Sequence, residues 1–127
     1  MTCFVSLNSF GNDQFNFNVK ELEILKNGNI FKGLNRGTIT TNDGVIINAD
    51  TFEYNKLSNT LNASGNVKIE DTIKSYIIFT DNITYQKNDE IIFTKDNSKG
   101  IDKNGQIINA DNFRYDISSN IINAKNN

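Results

Sequence analysis

The sequence predicts an all-β protein whose antiparallel strands double back on themselves and form two sheets joined along a corner. Three observations carry this. The stretch "IINADTFEY", Ile46 to Tyr54, recurs as "IINADNFRY", Ile107 to Tyr115, with seven of nine positions identical. Short runs of Ile, Val, Thr, Phe and Tyr alternate with polar residues and break at Asn-Gly or Asp-Gly dipeptides, the chemistry of tight hairpins. The alternation also changes phase once within each copy, so each strand has to bend.

Aligning the copies on their aspartate brings Asp50, Asp81 and Asp111 into register, 31 and 30 residues apart. The middle copy is "YIIFTDNITY", Tyr76 to Tyr85. A degenerate copy, "FNFNVKELEI" from Phe15 to Ile24, puts Lys20 in the aspartate's place. A polar turn, a short apolar run and a small or polar segment follow each: "NKLSNTLNAS", "QKNDEIIFTK" and "DISSNIINAK". The chain reads as about four units of roughly 30 residues, a period typical of repeat architectures.

Taken in order, residues 1–13 read as a leader or the remnant of a signal peptide. "MTCFVSLNSF" lacks a basic start and a long apolar core, but trimming leaves such segments. Residues 14–127 read as one domain, truncated at its C-terminus: "NAKNN" stops where the copy after Tyr54 goes on to Ser64-Gly65-Asn66-Val67. Val19 to Gly28 is the best helix candidate, yet period two puts Leu22 and Ile24 on one face, as the repeat register requires, and a strand is expected. Hairpin turns are expected at Asn27-Gly28, Asn42-Asp43-Gly44 and Asn104-Gly105, where Asn/Asp-Gly tolerates positive φ. Lys56–Asn59 and Lys87–Asp89 are polar breaks of hairpin length. Val45, Ile47 and Ala49 share one face, whereas Phe52 and Tyr54 fall on the opposite parity; Ile108 and Ala110 stand in the same relation to Phe113 and Tyr115. To keep both sets inward the chain must bulge or bend at the aspartate and pass from one sheet into a facing one.

A chain of 127 residues suffices for one domain with a modest core. Hydrophobic residues make up 37% and the mean hydropathy is −0.47, ordinary for a soluble protein. The net charge of −2, with both signs interspersed, offers no basic patch, which disfavours nucleic acid. No run approaches the ~20 apolar residues of a membrane helix. The 23 Asn and 18 Ile, without Trp or Pro, read as codon bias. Cys3, the single cysteine, permits no internal disulfide and no cysteine-rich metal site. Without His or a glycine-rich phosphate loop, machinery for nucleophilic, metal-hydrolytic or nucleotide chemistry is not visible, and a non-enzyme lacking metal and cofactor is expected.

Asp50, Asp81 and Asp111 recur at every rung, which suits a structural bend better than catalysis: a short carboxylate can accept from backbone donors at a corner. Calcium would call for several Asp in one Gly-containing loop, and no such loop is present. Tyr54, Tyr85 and Tyr115 are placed either to stack on sugars or to pack their rings in the core with a wet hydroxyl.

The stretch "IINADTFEYNKLSNTLNASGNVKIED", Ile46 to Asp71, resembles the OstA-type repeat of bacterial lipopolysaccharide-transport proteins. The resemblance rests on Ala49-Asp50, Phe52 and Tyr54, then a polar turn, Leu61 and Ala63, then Gly65-Asn66-Val67. It is clear from Gly44 to Ile69 and partial from Ile78 to Thr94 and from Ile107 to Ala124; Thr80 replaces the alanine of the middle copy, and no Gly-Asn-Val follows Thr94. It implies an antiparallel β-jelly-roll or β-taco, two sheets forming a V open along one edge. It also implies a role in periplasmic lipopolysaccharide transport to the outer membrane of a Gram-negative bacterium, with lipid A acyl chains held in the apolar interior. The implied partners are that lipid, other OstA-type domains joined by end-to-end strand pairing, and the outer-membrane assembly machinery. Both the free periplasmic bridge protein and the N-terminal domain of the outer-membrane assembly protein fit. The abrupt end and "LEILKNGNIFKGLNRGTITTNDG" favour the second.

In a closed sandwich the inward side chains fill one another, whereas an open V leaves a trough that needs a guest. Strand parity lines that trough with Ile47, Phe52, Leu61, Val67 and Ile69, continues it with Ile78, Ile83 and Ile92, and ends it with Ile108 and Phe113. Tyr54, Tyr85 and Tyr115 would stand near its margin. Ile47, Ile78 and Ile108 should occupy equivalent places facing one interior. The rivals are a structural β-repeat without lipid cargo, adhesin-like or a parallel β-helix, and a carbohydrate-binding sandwich. The hairpin dipeptides argue against a continuous coil, and the lack of Trp argues against the sugar-binding reading.

Overall fold

The computed structural model describes residues 3–8 and 14–126, with side chains from Phe15 to Asn126. Among the described residues, twelve strands pair antiparallel in one sheet folded over on itself, giving two leaves that share a corner. One leaf contains β1 (Cys3–Asn8), the first half of β2 (Gln14–Leu25), the second half of β3 (Ile30–Thr41), β4 (Val45–Ala49), the second half of β6 (Thr60–Asp71), the first half of β7 (Tyr76–Gln86), β9 (Ser98–Ile101) and β10 (Ile107–Ala110). The other contains the remaining halves of β2, β3, β6 and β7, together with β5 (Thr51–Asn55), β8 (Ile91–Lys95), β11 (Asn112–Asp116) and β12 (Ile121–Lys125). This is the antiparallel β-jelly-roll that the resemblance implies. Val19 to Leu25 is strand, as period two required. Of the stretch 1–13 read as a leader, Cys3–Asn8 pairs with β2 as β1, and the rest lies outside the described residues.

The phase change is real. Burial alternates through Val45, Ile47 and Ala49, then resumes on the other parity at Phe52 and Tyr54. The chain bends at Asp50, and the neighbouring strands accommodate the bend by inserting residues. Pairing of β6 with β7 jumps from Ser64 to Val67, and pairing of β2 with β3 breaks between Val19 and Glu21. The inserted residues come as left-handed pairs: Asn35-Arg36, Gly65-Asn66 and Asp96-Asn97. Two successive left-handed residues swing a strand out of one plane into the next, and Asn, Asp and Gly bear that conformation at the lowest cost. Asp96-Asn97 supplies at the third corner what Gly65-Asn66 supplies at the second, so the missing Gly-Asn-Val after Thr94 is a change of residues and not of geometry.

The turns away from the corner also recur. Gly44, Ser75 and Gly105 are left-handed at the tips of the first leaf; Asn59, Glu90 and Asn120 are left-handed at those of the second. Cross-strand partners then stack into rows, each facing the other leaf. The row Phe17, Ile39, Ile47, Ile69, Ile78, Gly100, Ile108 crosses the first leaf. The row Phe31, Tyr54, Leu61, Tyr85, Ile92, Tyr115, Ile122 crosses the second. They meet in one apolar core. Ring contacts bridge the leaves directly: Phe15 lies 5.3 Å from Tyr54 and 5.5 Å from Tyr85, edge to face.

Candidate functional site

The interior is not equally filled along its length. At the β2–β7 end it is packed by its own aromatics. At the last rung the first-leaf row meets Gly100, which has no side chain, and the ring of Phe113 from the other leaf leans over it; a Cβ on Gly100 would touch that ring at 3.5 Å. Beside this gap a cleft of about 210 Å³ opens between the leaves, lined by Ile78, Ile101, Ile108, Phe113, Ile122 and Tyr76 among others. It opens where β10 pairs only with β9 and β12 only with β11 among the described residues. Ile108, which lines it, is more than half exposed, as are Ile107 and Ile121, the chain neighbours of the lining residues Ile108 and Ile122. An apolar cleft at an unpaired sheet end is the feature with the clearest capacity to receive a guest.

Twelve of the thirteen residues expected to line the trough are buried in this interior: Ile47, Phe52, Tyr54, Leu61, Val67, Ile69, Ile78, Ile83, Tyr85, Ile92, Phe113 and Tyr115. Ile108 departs from the expectation. It continues the row of Ile47 and Ile78 but is 53% exposed, because its strand has a neighbour on one side only and the side chain forms the mouth of the cleft. Gly100, Ile101 and Ile122 escaped the sequence reading, since their importance depends on which leaf faces which.

The tyrosines also differ from a wet-hydroxyl arrangement. Tyr54 Oη donates to Asn59 Oδ1 at 2.6 Å, Tyr85 Oη to Glu90 Oε2 at 3.1 Å and Tyr115 Oη to Asp71 Oδ2 at 2.6 Å. The first two acceptors sit five residues on, at the left-handed position of the tip turn. Burial, then the adjacent Asp71 carboxylate, pushes the Tyr115 hydroxyl far above its ordinary range. The hydroxyls thus anchor the tips of the turns from within.

The aspartates mark the corner. Asp50 Oδ1 accepts from Arg36 at 2.8 Å and Oδ2 from Asn66 Nδ2 at 3.0 Å. Asp81 Oδ2 accepts from Asn97 Nδ2 at 2.8 Å, and the backbone N–H of Asp111 donates to Asn126 Oδ1 at 3.1 Å. The carboxylates of Asp50 and Asp81 therefore hold the side chains of the inserted pairs, where the sequence suggested backbone donors. The Arg36 hydrogen bond, followed by that from Asn66, holds Asp50 below the usual carboxylate range.

Across the free edge the leaves touch through polar groups. Lys87, 3% exposed, pairs with Glu90 of its own turn and lies 3.7 Å from Asp43 on the opposite leaf. One turn along, Asp71 meets Tyr115, and Lys74 donates to the Ile117 carbonyl. Burial, and the neighbouring Asp43, raise the Glu90 carboxyl, while Asp43 is lowered despite its own burial because Thr41, Glu90 and Lys87 surround it with favourable partners. A larger concavity, about 730 Å³, lies on the outer face of the second leaf, ringed mainly by Asn62, Asn82, Lys95, Arg114 and Lys125 around Phe93. None of the residues of the two inward rows lines it.

No protein-family model matches the sequence, and no curated protein matches it. Among solved structures, the chain is similar to LptH of Pseudomonas aeruginosa, described as the LptA-homologous periplasmic component of the conserved lipopolysaccharide transport device. The TM-score is 0.79, over 89% of this chain and 82% of that one, at 14% identity. The two share a fold, and the neighbour is a transport protein.

Proposed function

We propose that the chain is an OstA-type periplasmic module that carries lipopolysaccharide toward the outer membrane, sheltering acyl chains between its leaves. The observation that carries this reading is the continuity of the two apolar rows from the packed interior into the end cleft. A guest entering there meets mainly apolar side chains, with Asp102 and Gln106 the polar exceptions in the lining. The fold shared with a lipopolysaccharide-transport component supports it, as does the "IINADTFEY … LNASGNV" resemblance.

The cleft's size fits brief holding better than tight storage. At ~30 Å³ per water-sized group it admits about seven such groups, roughly half of a ~12-carbon chain. Each buried methylene contributes about 0.8 kcal/mol, so the gross gain of about 5–6 kcal/mol only matches the low end of the cost of association, about 4–15 kcal/mol. A carrier that must release its cargo needs such weak, extendable binding. The unpaired edges of β10 and β12 offer a second module a place to add strands and continue both rows; that end-to-end pairing, with other OstA-type domains and the outer-membrane assembly machinery, belongs to the same proposal.

The test is site-specific photo-crosslinking. A photoreactive residue at Ile78, which is buried and lines the cleft, should capture lipopolysaccharide during transport. The same residue at Lys68, one position along β6 from the inward Val67 and Ile69, should not. Equal capture at both positions, or none at Ile78 in folded and active protein, would leave the fold to a structural β-repeat without lipid cargo.

A further inference from the structure

We infer that the polar contacts along the free edge, Asp43 with Lys87 and Glu90, Asp71 with Tyr115, and Lys74 with the Ile117 carbonyl, form a latch that must part before an acyl chain can enter the interior from the side. The inference rests on the lipid-carrier reading and concerns how that same interior is opened.

Two observations lead to it. The end cleft holds only part of an acyl chain, and beyond it the space between the leaves is occupied by Phe15, Phe17, Tyr54 and Tyr85 in ring contact. A longer guest therefore needs the leaves to separate. They are covalently continuous at the corner, where strands run from one leaf into the other, so separation has to occur at the tips, where the polar contacts cross.

The chemistry of those contacts suits a reversible closure. An apolar seam would expose its surface to water on opening and would resist with its full area. An ion pair and hydroxyl–carboxylate bonds exchange their partners for water at small net cost. Lys87 makes this plain: at 3% exposure its ammonium pairs with Glu90 and with Asp43 and lies over the Tyr85 ring, and opening would restore its hydration as it loses Asp43. The leaf contacts are therefore strong enough to hold the closed form and weak enough for a guest to displace. Glu90 and Lys87 belong to one turn and stay together; Asp43 is the part that moves away.

The latch is tested on the full chain in a Cys3→Ser background, with dansyl-labelled lauric acid as the apolar probe. Asp43→Asn and, separately, Lys87→Met each remove one side of the crossing pair. Loss of one contact worth about 1.4 kcal/mol raises the open population, and with it the rate of probe uptake, about tenfold. An Asp43→Cys/Lys87→Cys double variant should take up the probe rapidly when reduced and, once its thiols are joined by a short bis-maleimide, no faster than the parent. Thermal melts accompany each variant, so that unfolding is not read as opening; Asp43, 42% exposed in its side chain, is the substitution least able to disturb folding. Equal uptake with the bridge in place and absent overturns the latch and leaves the carrier reading standing. No uptake by any folded form, wild type included, overturns both.

Discussion

At the scale of single residues, buried polar side chains of this fold tie the tips of its turns to the interior. Tyr115 and Asp71 are the sharpest case, a hydroxyl and a carboxylate both buried, 2.6 Å apart. Tyr115→Phe removes the donor from one Asp71 oxygen while the ring packing persists. Leaving a buried acceptor short of a partner costs about 1–3 kcal/mol, more for a charged group than a neutral one. Tyr115→Phe should therefore lower the urea midpoint more than Tyr54→Phe, whose partner Asn59 is neutral; the reverse order would show that Asp71 draws little from the tyrosine. At the corner, Asp50 carries a pH signature. Its carboxyl is held low by Arg36 and then Asn66, so its contribution to stability is complete above the ordinary aspartate value of about 3.9 and is lost as the pH falls through the depressed one. Arg36→Ala should move the Asp50 titration, followed by carboxyl-carbon NMR, up toward the ordinary value and flatten the acid limb of the stability curve. The burial of the trough residues was legible because strand parity is strict: one slip reverses every side chain, so Ile47 and Phe52 had to be reconciled by a bend. The hydroxyl partners were not legible, because nothing local to Tyr115 points to Asp71, 44 positions away.

At the scale of elements, the same backbone problem is solved at each corner and tip with different residues. Gly65, at φ +83, has no space for a side chain: a Cβ there would stand 2.5 Å from Asp50 Oδ2 and 2.9 Å from Asp50 Cβ. Gly65→Ala combines left-handed strain with that collision, and should cost roughly 1–3 kcal/mol and displace the Asp50 carboxylate from Arg36. At the tips a glycine is missing where one would fit. Ser75, at φ +62, stands where Gly44 and Gly105 stand in the flanking turns. Ser75→Gly relieves a left-handed residue and should add about 0.5–1 kcal/mol, seen as a higher melting temperature; an unchanged or lower value would mean that the flexibility gained in the unfolded chain outweighs the relief. The Asn42-Asp43-Gly44 and Asn104-Gly105 turns could be read from sequence because Asn-Gly and Asp-Gly name their own geometry. Asp96-Asn97 could not, since nothing in those two residues separates a left-handed corner from an ordinary polar break.

At the scale of the whole molecule, what matters is where the interior stops being filled. Sequence patterning identified two facing sheets and many of the inward residues from Val45 onward, yet it missed Phe15, Phe17, Val19, Phe31 and Ile39 and could not say which rung is packed and which is open. That depends on contacts between leaves, between Phe113 of one and Gly100 of the other, and on strands with a neighbour on one side only. Gly100 makes the distinction testable. Its backbone is not left-handed, and a Cβ would meet the Phe113 ring at an ordinary 3.5 Å, so Gly100→Leu should fold and its side chain should extend into the 210 Å³ cleft. Occupying the room of three or four methylenes removes about 2–3 kcal/mol of potential apolar contact from a guest. Binding of a labelled fatty acid, measured by fluorescence titration, should then weaken strongly, with the melting temperature unchanged or raised because the cleft is filled by the protein itself. Lys68→Leu adds a leucine to the outer face and should leave binding as it was. A folded Gly100→Leu protein that binds like the parent would move the guest out of the end cleft and into the space behind the latch, where the aromatic rings would have to give way for it.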